Sequence, residues 1–124
     1  MSEKKVEDPR DAIYQERRPW GAFRRYTYNQ LSTVKIITVN PGQVLSLQYH
    51  NQRDELWVAL EPGLCVTLDD RIWEPEPYEE IFIPCGAHHR MAGVGKDPSR
   101  WLEISFGKFD EDDIVRLEDH YGRK

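Results

Sequence analysis

The sequence predicts an all-β domain, a sandwich or barrel of roughly eight short strands. Two observations carry that expectation. Runs rich in β-branched and aromatic residues recur roughly every 8–12 positions, and almost every gap between them holds Pro, Gly, Asn or Asp. A third observation narrows it, because helical signals occur only in the tail.

Residues 1–16 are charged and lack apolar periodicity, so they are expected to be a flexible arm ahead of a single domain spanning 17–124. In RRPWGAF (17–23), Pro19 and Gly21 bracket Trp20, which is expected to pack. TVKIITV (33–39) reads as a strand closed by the turn Asn40-Pro41-Gly42. VLSLQYH (44–50) follows, then ELWVAL (55–60), which runs into Glu61-Pro62-Gly63. LCVTL (64–68) ends at Asp69-Asp70, and RIWEP (71–75) returns from it. EEIFIP (79–84), HHRMAGV (88–94) and RWLEISFG (100–107) complete the strands. In DEDDIVRLEDHYG (110–122), acidic residues precede Ile114, Val115 and Leu117, and Gly122 could end the segment. That order predicts a short C-terminal helix with a solvated charged face.

The chain has 124 residues, enough for one core. Its 17 basic and 22 acidic residues leave a net charge of −5, which argues against a nucleic-acid or anionic-membrane surface. No apolar run approaches the roughly 20 residues of a membrane-spanning helix, and the charged start MSEKKVEDPRD is not expected to act as a leader. Cys65 and Cys85 are too few for a disulfide framework, so a reduced, cytoplasmic setting is expected.

The chemistry concentrates in LSLQYHNQRDELW (45–57). Alternation along a strand puts Leu45, Leu47 and Tyr49 on one face and Ser46, Gln48 and His50 on the other. If the next strand pairs back through the loop NQRD (51–54), Glu55 can join the second face. His88 or His89 in PCGAHHR (84–90) can add one more nitrogen, but not both, since neighbours in extended chain face opposite ways. Imidazole, carboxylate and amide oxygen suit zinc, manganese, cobalt, nickel or iron(II), and an incomplete protein ligand set is the mark of a catalytic metal. The plain alternative is that a strand histidine is structural. Q-x-H alone does not displace that alternative, and the tryptophans read as core or interface.

These residues resemble the motifs of the cupin superfamily, G-x5-H-x-H-x4-E-x6-G and G-x5-P-x-G-x2-H-x3-N. Gly42, Gln48, His50, Glu55 and Pro62 occupy the first, and Tyr78, Pro84, Gly86, His89 and Gly93 the second, so His89 takes the ligand position. Gln48 stands where the first histidine usually lies. Within cupins, the closest resemblance is to the C-terminal isomerase domain of the bifunctional type II mannose-6-phosphate isomerase / mannose-1-phosphate guanylyltransferases. RPWG (18–21), VK-x2-TV-x-PG (34–42), LSLQ-x-H-x2-R-x-E-x-WV (45–58), IP-x-G-x2-HR (83–90) and EDDIVRLED-x-YGR (111–123) carry it.

The resemblance implies a double-stranded β-helix, or jelly-roll barrel, holding one divalent metal on Gln48, His50, Glu55 and His89, zinc foremost. It implies interconversion of mannose 6-phosphate and fructose 6-phosphate through a cis-enediol, on the way to GDP-mannose and polysaccharide. Glu103 and His88 are the candidate proton carriers. Lys35, Arg53 and Arg90 are candidates for the phosphate, with Ser46 as a hydroxyl donor, while Arg116 and Arg123 are expected to pair with nearby acids. The family's run of histidines after LSLQ is reduced to His50, with Asn51, Gln52 and Leu56 in the following positions, so a partner of the ligands is expected to be missing. No glycine-rich nucleotide loop precedes the cupin, so guanylyl transfer is not expected of this chain. A separate guanylyltransferase is then a candidate partner. A homodimer is expected from exposed sheet edges and family habit. The alternative function is a cupin that binds a sugar phosphate or a partner without turnover.

Overall fold

The structure, a computed structural model, describes residues 7–122. Within them lie a 3-10 turn at Pro9–Ala12 and strands β1 (Tyr14–Arg18), β2 (Gly21–Arg25), β3 (Ser32–Val39), β4 (Leu47–Tyr49), β5 (Glu55–Ala59) and β6 (Leu64–Leu68). β7 (Arg71–Trp73), β8 (Glu80–Ile83), β9 (His89–Gly93), β10 (Ser99–Phe106) and β11 (Val115–Glu118) follow. Strands β1 and β2 form a hairpin. The others form a four-stranded sheet in the order β3-β10-β5-β8 and a five-stranded sheet in the order β11-β4-β9-β6-β7. All pairings are antiparallel. This is the all-β jelly roll expected from the sequence.

Turn chemistry sets the corners. Gly42 takes φ +77, and the Gln43 amide donates to the Asn40 carbonyl at 3.1 Å, closing a turn in which Pro41 fixes the preceding φ. Gly63 takes φ +96 where a Cβ would stand 2.6 Å from Ser99 Oγ, so the corner has no room for a side chain. Between the sheets, alternate residues of β5, β6, β8, β9 and β10 meet in a core of Trp57, Ala59, Leu64, Val66, Ile81, Ile83, Met91 and Trp101. The rings of Trp57 and Trp101 lie 5.6 Å apart. Truncating either would cost roughly 3–5 kcal/mol.

Four expectations are corrected here. Of the flexible arm placed at 1–16, residues 1–6 lie outside the described residues. The remainder is structured: Asp8 caps the 3-10 turn and Tyr14–Arg18 is a strand. Its neighbours tie it down, for Arg24 on β2 pairs with Glu80 on β8 at 2.7 Å and Arg10 reaches the Glu80 carbonyl. Trp20, expected to pack, is 74% exposed at the hairpin tip. The C-terminal helix is instead β11. A bare edge of β4 offers pairing to the β-branched tail, and Asp113, which would have begun a helix, accepts from the amides of Asn51 and Gln52.

Strict alternation through residues 45–50 also fails. Val44 bridges to Ala92 while Gln48 pairs with His89, which sets four steps against three and inserts a bulge. Leu45, expected on the outer face, therefore packs against the core.

Candidate metal centre

β5 brings Glu55 into the barrel and the end of β4 brings His50, while β9 opens with His89. All three are at most 3% exposed, and their ligating atoms lie within 4.8 Å of one another. His50 Nε2 stands 3.6 Å from Glu55 Oε2, and His89 Nε2 stands 4.0 Å from Glu55 Oε1. The imidazoles are held from behind. His50 Nδ1 is 2.6 Å from the Asp113 carbonyl and His89 Nδ1 is 2.9 Å from the Ala87 carbonyl. A carbonyl only accepts, so each Nδ1 carries a proton, and in the neutral ring each Nε2 presents a lone pair.

His89 Nε2 is buried without a hydrogen-bond partner. An orphaned acceptor in that position is costly unless something electrophilic completes it. Burial holds the His89 imidazole below its usual range, with the Glu55 charge pulling the other way. It is thereby kept neutral, as a metal ligand must be. The three residues therefore fit a divalent metal, and Gln48, paired to His89 across the sheet, lines the adjoining cavity.

The Glu55 carboxylate is aimed by three donors: Trp57 Nε1 at 3.1 Å, Ser105 Oγ at 3.2 Å and Arg53 Nε at 2.9 Å. Ser46, expected at the phosphate, is buried and donates to Gln48 Oε1 at 2.9 Å. Its hydroxyl turns the amide oxygen of Gln48.

A cavity of about 540 Å³ opens beside the cluster, lined by Gln48, His50, Lys35, Arg53, Glu103, Phe109 and Arg116 among others. Glu103 is 8% exposed. Burial and then the Glu55 charge push its carboxyl up to about 7, while Lys35 and Arg53 pull it down. β10 pairs with β3 so that Glu103 lies opposite Lys35. Phe109 lies at this cavity under two cations, with Lys35 Nζ 4.3 Å and Arg53 Cζ 4.5 Å from its ring centre.

Two expected residues lie elsewhere. His88 is exposed and stacks on Tyr49 with ring centres 5.2 Å apart, on the far side of the strand from the cluster. Arg90 donates to the Leu45 carbonyl at 3.0 Å and pairs with Glu118 at 3.3 Å, so it braces the bulge rather than the cavity.

Arg116 lies opposite Gln48 and lines the cavity together with Glu111 and Asp112, while Arg123 lies outside the described residues. Reading the tail as a helix hid that placement. Trp57 and Ser105 were missed too, although each stands two residues from a glutamate on the same strand, the spacing that shares a face. Asn51 and Gln52 are exposed, and the imidazoles lean on backbone carbonyls. The reduced histidine run therefore leaves both histidines with partners.

Residues 5–119 match the family described as Mannose-6-phosphate isomerase C-terminal. The chain belongs to that family. It is 42% identical over 107 residues to the xanthan biosynthesis protein XanB of Xanthomonas campestris pv. campestris. It is 41% identical to the alginate biosynthesis protein AlgA of Pseudomonas aeruginosa and to a mannose-1-phosphate guanylyltransferase of Escherichia coli. These alignments cover 86% of this chain and 22–23% of the relatives, so the chain spans about a quarter of their length.

Among solved structures, a dTDP sugar isomerase from Desulfovibrio desulfuricans superposes with TM-score 0.65 at 16% identity, covering 87% of this chain and 82% of that one. The capsular polysaccharide assembling protein CapF of Staphylococcus aureus gives 0.62 at 19% identity, covering 86% and 34%. A double-stranded β-helix protein from Klebsiella pneumoniae gives 0.62 at 14%, covering 74% and 78%. The fold of this family member is the cupin double-stranded β-helix. No helix among the described residues is long and apolar enough to cross a membrane.

Proposed function

We propose that this chain is a metal-dependent aldose–ketose isomerase that interconverts mannose 6-phosphate and fructose 6-phosphate. One observation carries the reading. Two buried imidazoles, each with Nδ1 bound to a carbonyl, aim their lone pairs at one carboxylate beside a cavity that holds cations and a perturbed acid. Gln48, His50, Glu55 and His89 would hold the metal, zinc foremost, with manganese, cobalt, nickel and iron(II) compatible with the same donors. Bound there, the metal would polarise the sugar carbonyl and favour the enediolate.

The remaining work belongs to side chains. Glu103, with its carboxyl near 7, is ionised often enough at neutral pH to take the C2 proton of open-chain mannose 6-phosphate and protonated often enough to return it to C1. A proton passes from the C2 hydroxyl to the C1 oxygen in the same conversion, so the ketose forms without net gain or loss. Lys35, Arg53 and Arg116 supply positive charge for the phosphate. The names of the relatives support a place in polysaccharide precursor synthesis. A cytoplasmic homodimer working with a separate guanylyltransferase completes the proposal.

A second reading is a sugar-phosphate-binding cupin without turnover. It is favoured by Arg53, whose guanidinium lies against both His50 and Glu55. Turnover of mannose 6-phosphate by zinc-loaded chain, beside His50→Ala with metal content recorded, separates the two. Turnover lost together with about one metal per chain supports the isomerase; a folded, zinc-loaded chain without turnover leaves the binder.

A further inference from the structure

Arg53 sits on the ligands. Its Nη2 lies 3.2 Å from His50 Nε2, and its Nε donates to Glu55 Oε2 at 2.9 Å. A guanidinium is always protonated and only donates. Because His50 Nδ1 already faces the Asp113 carbonyl, the Nε2 lone pair is what Arg53 engages, and it is the same lone pair a metal requires. One lone pair serves one of them at a time. Two cations also repel strongly where water is excluded, and the Arg53 side chain is only 9% exposed.

The other contacts of Arg53 show where such an exchange would be felt. Nη1 donates to the Asp110 carbonyl at 3.1 Å, and the guanidinium lies over Phe109. Both belong to the stretch ending at Asp113, which holds His50 Nδ1 and the amides of residues 51 and 52. The cavity beside Arg53 already contains Lys35 and Arg116, set against the acids Glu103, Glu111 and Asp112, so a bound anion needs the third cation that Arg53 would bring.

We propose that Arg53 is an exchangeable counter-cation: it competes with a divalent metal for His50 and Glu55, and on yielding them it turns into the cavity to complete an anion site with Lys35 and Arg116. Metal binding and phosphate binding are then one coupled event. By reciprocity, phosphate that captures Arg53 must tighten the metal to the same degree. This rests on the metal-centre reading above.

The test is chelator competition with Zn(II) on the full chain, comparing wild type, Arg53→Gln and His50→Ala, with and without inorganic phosphate. Arg53→Gln is expected to bind Zn(II) about tenfold or more tightly than wild type, a change as large as loss of a ligand's neighbour usually produces in the opposite direction. Phosphate is expected to tighten Zn(II) in wild type and to do so at least several-fold less in the variant. Equal Zn(II) affinity in wild type and Arg53→Gln, with loss in His50→Ala, would overturn the competition while leaving the metal centre standing. Failure of all three proteins to bind Zn(II), with their melting curves intact, would overturn both.

Discussion

In the four-stranded sheet, β10 runs against β3 for eight residue pairs and against β5 for five without a break in register. In the five-stranded sheet, β4 meets both neighbours through an irregularity, a shift between Arg116 and Glu118 on one side and the bulge after Val44 on the other. The site straddles the two. The regular sheet supplies Glu55, Glu103, Trp57 and Ser105, residues fixed by their ladders and by alternation. The irregular sheet supplies Gln48 and His50, which owe their aim to Ser46 and to the Asp113 carbonyl rather than to strand geometry. A base can stand on a rigid wall. Gln48 and His50, by contrast, reach the site through the freedom a bulge provides, and the loop through Asp113 then holds His50.

The sharpest break in this division is at the ligands. His50→Ala or His89→Ala should reduce bound zinc from about one per chain to none and abolish turnover, as measured by metal analysis beside the activity assay. Glu103→Gln, on the regular wall, should cut turnover about 10²–10⁴-fold while metal content stays at wild type.

The same variant carries a pH signature. Because burial pushes Glu103 up to about 7 from its usual 4.5, the folded chain holds a proton in that window which the unfolded chain has released. This contribution therefore makes stability fall as pH rises from about 4.5 to 7. Relative to wild type, Glu103→Gln should gain stability across the window and keep it above, with no gain below about 4.5. Urea denaturation at pH 4 and pH 8 reads the difference.

A smaller effect compares the two supports directly. Asp113→Ala leaves the carbonyl to His50 but removes the acceptors for the amides of residues 51 and 52. It should weaken zinc about tenfold, whereas Ser105→Ala, with Trp57 still on Glu55, should weaken it less. Smallest of all, Trp20→Ser at the exposed hairpin tip should change stability by no more than about 0.5 kcal/mol.

The same division explains what could be read in the sequence. Strands β3 and β5–β10 were legible because their alternation and turn residues are local, and burial in β8 and β9 alternates as expected. The convergence of His50, Glu55 and His89 was legible through the resemblance to the cupin motifs. Arg90 could have been set aside, since it adjoins His89 in a strand and must face away. The pairing of Glu103 with Lys35 and of Arg116 with Gln48 was beyond reach, because registers between distant strands leave no local mark. The tail misled for a related reason. Its acids carry a helix-start pattern, but an open edge of β4 and the loop amides at residues 51 and 52 offered stronger partners.

The central claim is that His50, Glu55 and His89 form a metal centre inside the barrel. Titration with Co(II), followed by visible absorption, tests it most directly in wild type and His89→Ala. Saturation at one equivalent, with a ligand-field spectrum that disappears in the variant while its melting curve shows it folded, is the predicted result. No saturable spectrum in wild type, or the same spectrum in His89→Ala, would contradict it.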